Sequence, residues 1–115
     1  MGKIAAQAAL VQAKVDPTLI ESVVVGNIIQ DSQKNGPYIS RHIALNLGVK
    51  LETPCLTVNR LCGSGFQAAI NSAQDIVLRD AEISLAIGTE SMSQAPFVVI
   101  EKRKIRSEIQ PSARD

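Results

Sequence analysis

Three short apolar runs, each placed between segments of helical spacing, constrain the fold more than any other feature of this 115-residue chain. Val23-Val24-Val25 is β-branched throughout and stops at Gly26. Cys55-Leu56-Thr57-Val58 follows Pro54, and Ile83 to Ile87 stops at Gly88. Each is too short for a helix and reads as a strand, and the all-apolar first run reads as a buried strand of the parallel kind. The resulting order is helix, strand, helix, strand, helix, strand. The connections are long enough for right-handed crossovers, so the fold class is α/β. A sheet of three strands is small and leaves exposed edges, so the chain reads as a piece of a layered α/β domain.

The helical segments carry their own signals. Lys3 to Lys14 is rich in alanine and glutamine and has no internal glycine or proline. Its apolar residues, Ile4, Ala5, Ala8, Ala9 and Val11, run nearly all round, which predicts a helix covered on more than one side. Asp16-Pro17 has the form of an N-cap with proline at the first helical position, opening a short turn through Ile20. Asn27 to Gly36 is polar and turn-rich, the composition of a long strand-to-helix loop that can serve a site. Pro37 opens the next helix, Ile39, Ile43, Ala44 and Leu47 form its apolar stripe, and Gly48 supplies its C-cap. Cys62-Gly63-Ser64-Gly65 interrupts the second strand. Phe66, Ala69, Ile70, Ala73 and Val77 then recur at three- and four-residue spacings and predict a helix with those residues as its stripe.

Composition excludes several function classes. Lys and Arg number 12 against 11 Asp and Glu, and no positive stripe accompanies this balance, which argues against a nucleic-acid binder. The run Lys102-Arg103-Lys104-Ile105-Arg106 reads as a solvated tail rather than a phosphate-binding patch. Two cysteines, Cys55 and Cys62, supply neither a disulfide framework nor a structural zinc site, so no metal is expected. No apolar stretch is long enough to span a bilayer, and the chain is not read as an integral membrane protein. No targeting segment is visible at its start. Aromatic residues number only three, Tyr38, Phe66 and Phe97. A core of small aliphatic residues brings little area per side chain, so stability is expected to draw on material outside the chain.

Cys62 is the residue that carries chemistry. It follows a strand, precedes a helix and has small neighbours. A thiol there faces the positive end of the helix and nearby backbone N–H groups, an arrangement that favours negative charge on sulfur or on an adjacent oxyanion. Gly63 and Gly65 leave room for a ligand to approach the backbone, and Ser64 can donate locally. On the residues alone this position fits either a packing cysteine or a nucleophile. Cys55 lies inside the strand pattern and reads as a core cysteine.

Thr57-Val58-Asn59-Arg60-Leu61-Cys62-Gly63-Ser64-Gly65-Phe66-Gln67-Ala68 closely resembles the nucleophile segment of acyl-CoA thiolases. Gly88-Thr89-Glu90-Ser91-Met92-Ser93 resembles the second signature of the same half, and Arg41 with Ala44-Leu45-Asn46-Leu47-Gly48 also fits. The phrase continues through Gln94-Ala95-Pro96 and is most similar to 3-ketoacyl-CoA thiolases of the mitochondrial type. The resemblance covers about residues 3–98. Residues 1–98 thus read as an incomplete thiolase N-terminal domain, and 99–115 as a divergent charged tail without fixed structure.

The resemblance implies part of the N-terminal half of an α-β-α-β-α layered architecture, with Cys62 where a strand turns into a central buried helix. It implies Cys62 as the acyl-accepting nucleophile whose backbone N–H helps hold the oxyanion, and Met92 in the wall near the acyl pocket. Read without the resemblance, Met92 is equally ordinary filler. The implied reaction cleaves a 3-ketoacyl-CoA with free CoA into acetyl-CoA and a shortened acyl-CoA, as in fatty-acid β-oxidation. Coenzyme A is then a substrate, and no cofactor is implied. Acetoacetyl-CoA thiolase of the biosynthetic kind is the alternative, and a non-catalytic short product associating with thiolase subunits is the competing class. The full enzymes are dimers or dimers of dimers in which the strand matching Cys55 to Asn59 pairs with its mate, so homo-oligomers are expected. The implied compartment is the mitochondrial matrix, with peroxisome and cytosol as alternatives.

Departures from the family's pattern bear on these expectations. A glycine is usual in the family where Ile87 stands, and a β-branched side chain there could narrow the site. The opening strand, the substrate-covering loop domain and the second half have no counterpart in the sequence. That half would supply the activating histidine, the second cysteine and an asparagine-held water. His42 reads as a surface or satisfied-core histidine rather than a substitute base, and Glu90 as a structural carboxylate. Asn59 and Arg60 read as residues that satisfy backbone groups at the strand end or bridge a subunit contact. The chain alone is therefore expected to have no thiolase turnover, and to be marginally folded or self-associated.

Overall fold

The computed structural model describes residues 1–32 and 36–97, so the tail expected at 99–115 lies outside the described residues. The chain forms α1 (Gly2–Ala13), β1 (Ser22–Gly26), α2 (Ile39–Leu47), β2 (Cys55–Val58), α3 (Ser64–Val77) and β3 (Ser84–Gly88), with short 3-10 turns between and after them. All three strands are parallel and their order is β2-β1-β3. Val23 faces Cys55 on one side and Leu85 on the other, and Gly26 faces Val58 and Gly88. Central β1 is buried along its whole length, as its run of valines requires.

Local chemistry sets the element ends. The α1 helix ends on Lys14 in the left-handed conformation, and α2 ends on Gly48 with φ 87°, where a glycine carries no Cβ penalty. Asp16 caps the turn Pro17–Leu19 through its Oδ1, which accepts the Thr18 hydroxyl at 2.6 Å and the Thr18 backbone N–H at 2.8 Å. Those two donors, the hydroxyl first, hold the Asp16 carboxyl below the usual carboxylate range. Pro37 does not open α2 itself: it sits in the 3-10 turn Gly36–Tyr38, and α2 begins at Ile39.

One apolar core lies on the α1/α2 side of the sheet. Leu10 of α1 and Ile39, Ile43 and Ala44 of α2 pack with Val23 and Val25 of β1 and Ile87 of β3. Strand alternation sends Val24, also fully buried, to the other face. There α3 lies against β1 and β3. At its far end Asp75 Oδ2 accepts the Ser22 hydroxyl at 2.7 Å, fixing the helix to the start of β1.

Two expectations about helix faces are corrected. Only Gly2, Ala6 and Leu10 of α1 are buried, while Ile4 and Val11 are each 72% exposed, so the helix is covered on one side within this chain. In α3 the residues against the sheet are Ser64, Ala68 and Ser72. Of its expected stripe, Phe66 is 75% and Val77 80% exposed, Ala69 and Ala73 are exposed, and Ile70 is half-buried. Small side chains let the helix axis come close to the strands, and the apolar stripe then points outward.

Candidate active site

Parallel pairing brings the carboxyl ends of all three strands to one edge of the sheet, the place where open α/β sheets bind ligands. The amino end of α3 sits on that edge because β1 ends in a glycine. A Cβ on Gly26 would lie 2.4 Å from the backbone carbonyl of Ser64, closer than atoms can approach. Gly65 and Gly88 face one another less tightly, and a Cβ on either would meet the other's Cα at 3.7 or 3.5 Å, ordinary contact.

Between β2 and α3 the chain makes a sharp bend. Leu61 takes a left-handed backbone with φ 49°. The Gly63 N–H donates to the Arg60 carbonyl and the Ser64 N–H to the Leu61 carbonyl, both at 3.0 Å. The buried Ser64 hydroxyl donates to the Leu61 carbonyl at 2.6 Å and accepts the Arg60 N–H at 2.9 Å. Ser64 thus acts locally, as its place in the sequence suggests, by closing the bend rather than reaching a ligand.

That bend presents Cys62. Its side chain is exposed, two positions before the first residue of α3, and lines a cleft of about 440 Å³. Gly26, Gly65 and Gly88 leave the cleft floor as bare backbone, and Ile28 and Met92 form walls. Met92 therefore joins Cys62, on the turn Met92–Gln94, with 69% of its surface exposed. A larger groove of about 510 Å³, beside α1 and Asn46 and Leu47 of α2, contains neither cysteine. Cys55 lies at the opposite end of β2, half-buried against the apolar core, with its thiol 3.5 Å from the Thr53 carbonyl. The two thiols occupy different environments, as their sequence contexts indicate.

Ile87 does not narrow the cleft. It is 6% exposed and belongs to the core on the α1/α2 side, because alternation along β3 turns it away from the face that Gly88 offers. His42 is exposed on α2 and lines a separate hollow with Met1, Lys3 and Asn46, apart from Cys62. Glu90 accepts the backbone N–H groups of Ile28 at 2.7 Å and Ile29 at 3.2 Å, together with the Asn27 side-chain amide at 3.3 Å. Asn59 Oδ1 accepts the Leu61 N–H at 3.0 Å, its amide donates to the Ile28 carbonyl at 3.3 Å, and Arg60 donates to Gln67 at 2.6 Å. These residues satisfy backbone and side-chain groups within the chain.

The loop from Asn27 is expected to serve a site, but the roles of two of its residues are not read from the sequence. Asn27 is 1% exposed and its amide also donates to the Thr89 carbonyl at 2.9 Å, and Ile28 supplies a cleft wall. The place of Asn27 at the start of the polar loop after Val25-Gly26 is its local signal. Its partners are more than sixty residues away. No group of three or more His, Cys, Asp or Glu side chains that could hold a metal occurs among the described residues, and none of their helices is long and apolar enough to cross a membrane.

The sequence profile described as "Thiolase, N-terminal domain" matches residues 1–113, running past the point where the motif resemblance stops. The chain is 50% identical over 99 residues to human mitochondrial 3-ketoacyl-CoA thiolase, covering 86% of the chain and 25% of that protein. It is 43% identical over 98 residues to a beta-ketothiolase of Cupriavidus necator, covering 85% of the chain and 25% of that protein. The crystal structure of human mitochondrial 3-ketoacyl-CoA thiolase in complex with CoA superposes with a TM-score of 0.83 at 45% identity, over 98% of this chain and 28% of that one. The chain thus spans about a quarter of the length of the curated relatives it matches. A parallel sheet whose carboxyl edge carries a cysteine at a helix start, with these matches in sequence and fold, places the chain in the thiolase family, as sequence of its N-terminal domain.

Proposed function

We propose that the chain is the nucleophile-bearing segment of a thiolase that cleaves 3-ketoacyl-CoA with free CoA. The observation that carries this reading is Cys62, exposed beside the amino end of α3 and over a floor of glycine backbone. Gly26, Gly65 and Gly88 bring only backbone to the cleft lining, which lets the 3-keto carbonyl lie close to the sulfur. The Cys62 thiolate attacks the 3-keto carbon, and the carbonyl oxygen takes up the negative charge beside the Cys62 backbone N–H. The bond between the second and third carbons then breaks, the acetyl-CoA enolate takes a proton on its methyl carbon from the second cysteine that the family's other half supplies, and the acyl group remains on sulfur. The thiol of CoA attacks that thioester, releasing the shortened acyl-CoA and restoring Cys62. Coenzyme A is a substrate throughout, and Met92 borders the acyl group.

By the family's pattern, the histidine that activates the nucleophile and the second cysteine have no counterpart in these residues, and His42 faces another hollow. The chain alone accordingly lacks turnover, since a lone thiol forfeits most of what positioned partners supply. The relatives' names and the fatty-acid chemistry support placement in the mitochondrial matrix, as a homo-oligomer or in association with full-length thiolase subunits. The exposed apolar stripe of α3 also supports a second, non-catalytic reading, in which a short product binds such subunits.

A chimera tests the catalytic reading. Residues 1–97 replace the matching quarter of human mitochondrial 3-ketoacyl-CoA thiolase, and thiolysis of acetoacetyl-CoA is followed by loss of its magnesium-enhanced enolate absorbance. Turnover that disappears in Cys62→Ala is expected, with none from the 115-residue chain alone. A folded chimera without turnover would leave the associating role, which co-purification with full-length subunits then decides.

A further inference from the structure

The geometry points to Glu90 as a positioning residue of the Cys62 cleft, acting through Ile28 and Asn59 and not by contact with the reacting atoms. This inference rests on the reading of Cys62 as the nucleophile. Three loops leave the carboxyl edge of the sheet, one after each strand; among the described residues, backbone bonds from Asn27 to Val58 and from Thr89 to Gly26, both at 3.1 Å, join only their first residues to the neighbouring strand ends. Glu90, from the loop after β3, holds the Ile28 N–H at 2.7 Å and the Ile29 N–H at 3.2 Å in the loop after β1. A carboxylate that accepts consecutive backbone N–H groups fixes the direction of both peptide planes. The Ile28 carbonyl then accepts the Asn59 amide from the loop after β2, at 3.3 Å. Asn59 Oδ1 in turn holds the Leu61 N–H at 3.0 Å, in the left-handed residue immediately before Cys62.

Glu90 and Asn59 therefore form a continuous tie from β3 to Cys62, across residues that are distant in sequence. The tie also fixes the cleft walls. Ile28 is held directly, and Met92 follows Glu90 by two positions in the same loop. Asn27 reinforces it by donating both to the Thr89 carbonyl and to Glu90. The Ile28 carbonyl also accepts the Gln30 N–H at 3.1 Å, and Ser64 closes the bend on its other side, so loss of the carboxylate loosens the wall and the Leu61 peptide without releasing either.

The test uses the 115-residue chain and two thiol reagents, small iodoacetamide and bulky N-phenylmaleimide, with Cys55 as internal reference. Labelling rates at each cysteine are read by peptide mass spectrometry. In the unsubstituted chain Cys62 labels faster than Cys55. Glu90→Ala is expected to lower the small-to-bulky rate ratio at Cys62 by about threefold, a modest share of what misplacement near a reacting group can do. The ratio at Cys55 stays unchanged, Glu90→Gln keeps part of the effect through its remaining acceptor oxygen, and Asn59→Ala reproduces it. Glu90→Ala with Asn59→Ala adds little to either single change, because both cut one tie. If circular dichroism shows Glu90→Ala unfolded, Glu90→Gln decides by the same ratio. An unmoved ratio at Cys62, a shift of equal size at Cys55, or equal labelling of the two thiols in the unsubstituted chain overturns the assignment. No acyl-CoA enters this measurement, so an inactive chimera with an intact ratio effect would remove the thiolase reading and leave the tie standing.

Discussion

The two faces of the sheet are built on different terms. On the α1/α2 side, Leu10, Ile39, Ile43, Val23, Val25 and Ile87 exclude water from one another. On the α3 side, contact is made through Ser64, Ala68 and Ser72, while Phe66 and Val77 face outward. The first face is held by buried apolar area, the second by closeness of backbone. The difference teaches that amphipathic spacing reports which side of a helix is apolar, and not which side its own chain will cover.

The sharpest way to break that comparison is to truncate each face in turn. Ile43→Ala should cost about 2–5 kcal/mol, the usual range for emptying an aliphatic core site, and urea unfolding should show it as a lower midpoint. Gly26→Ala comes next. It places a Cβ 2.4 Å from the Ser64 carbonyl and should cost about 1–3 kcal/mol by forcing α3 off the strand end. Gly65→Ala, which meets only ordinary contact, is the control, and equal midpoints for the two alanines would show that closeness is not what holds α3.

Replacing the outward stripe should separate folding from association. Phe66→Ser and Val77→Ser are expected to shift unfolding by no more than about 0.5 kcal/mol, as for exposed sites. Sedimentation should show the unsubstituted chain self-associated and the double variant less so, since a contiguous apolar surface in water drives association. A double variant that unfolds instead would mean the stripe is part of this chain's own core. The smallest effect belongs to Asp16. Its carboxyl is held below the usual range when folded, so its contribution is present above the ordinary aspartate value and is lost as pH falls through the folded one. Nuclear magnetic resonance titration should place that value low, and Thr18→Val should return it toward the ordinary range.

The strands were legible because short apolar runs bounded by glycine or proline have few other uses, and β2 matches its expected span at both ends. The order of elements followed, and so did Cys62 at the start of α3. The faces of α1 and α3 were not legible, since the same apolar spacing is written for a surface met by this chain and for one left open. Ile87 shows a related limit. Its neighbour Gly88 borders the cleft, yet one step along a strand reverses the face, and sequence adjacency says nothing of that. The tie through Glu90 and Asn59 was beyond reach for a different reason. Hydrogen bonds between loops far apart in sequence leave no periodic mark, and each residue taken singly reads as an ordinary polar side chain.

Leu61 is constrained by its backbone in a way that its exposure conceals. A position 71% open to solvent ordinarily tolerates drift. Here φ is 49°, a region that costs an L-residue about 1–2 kcal/mol and that β-branched side chains resist most. Valine and isoleucine, close to leucine in size and polarity, are therefore the replacements this backbone admits least. Glycine and asparagine, chemically remote from leucine, are the replacements that would keep the bend and the thiol behind it in place. A change at position 61 can therefore cost the geometry of the site through a torsion angle while the cysteine itself stays untouched.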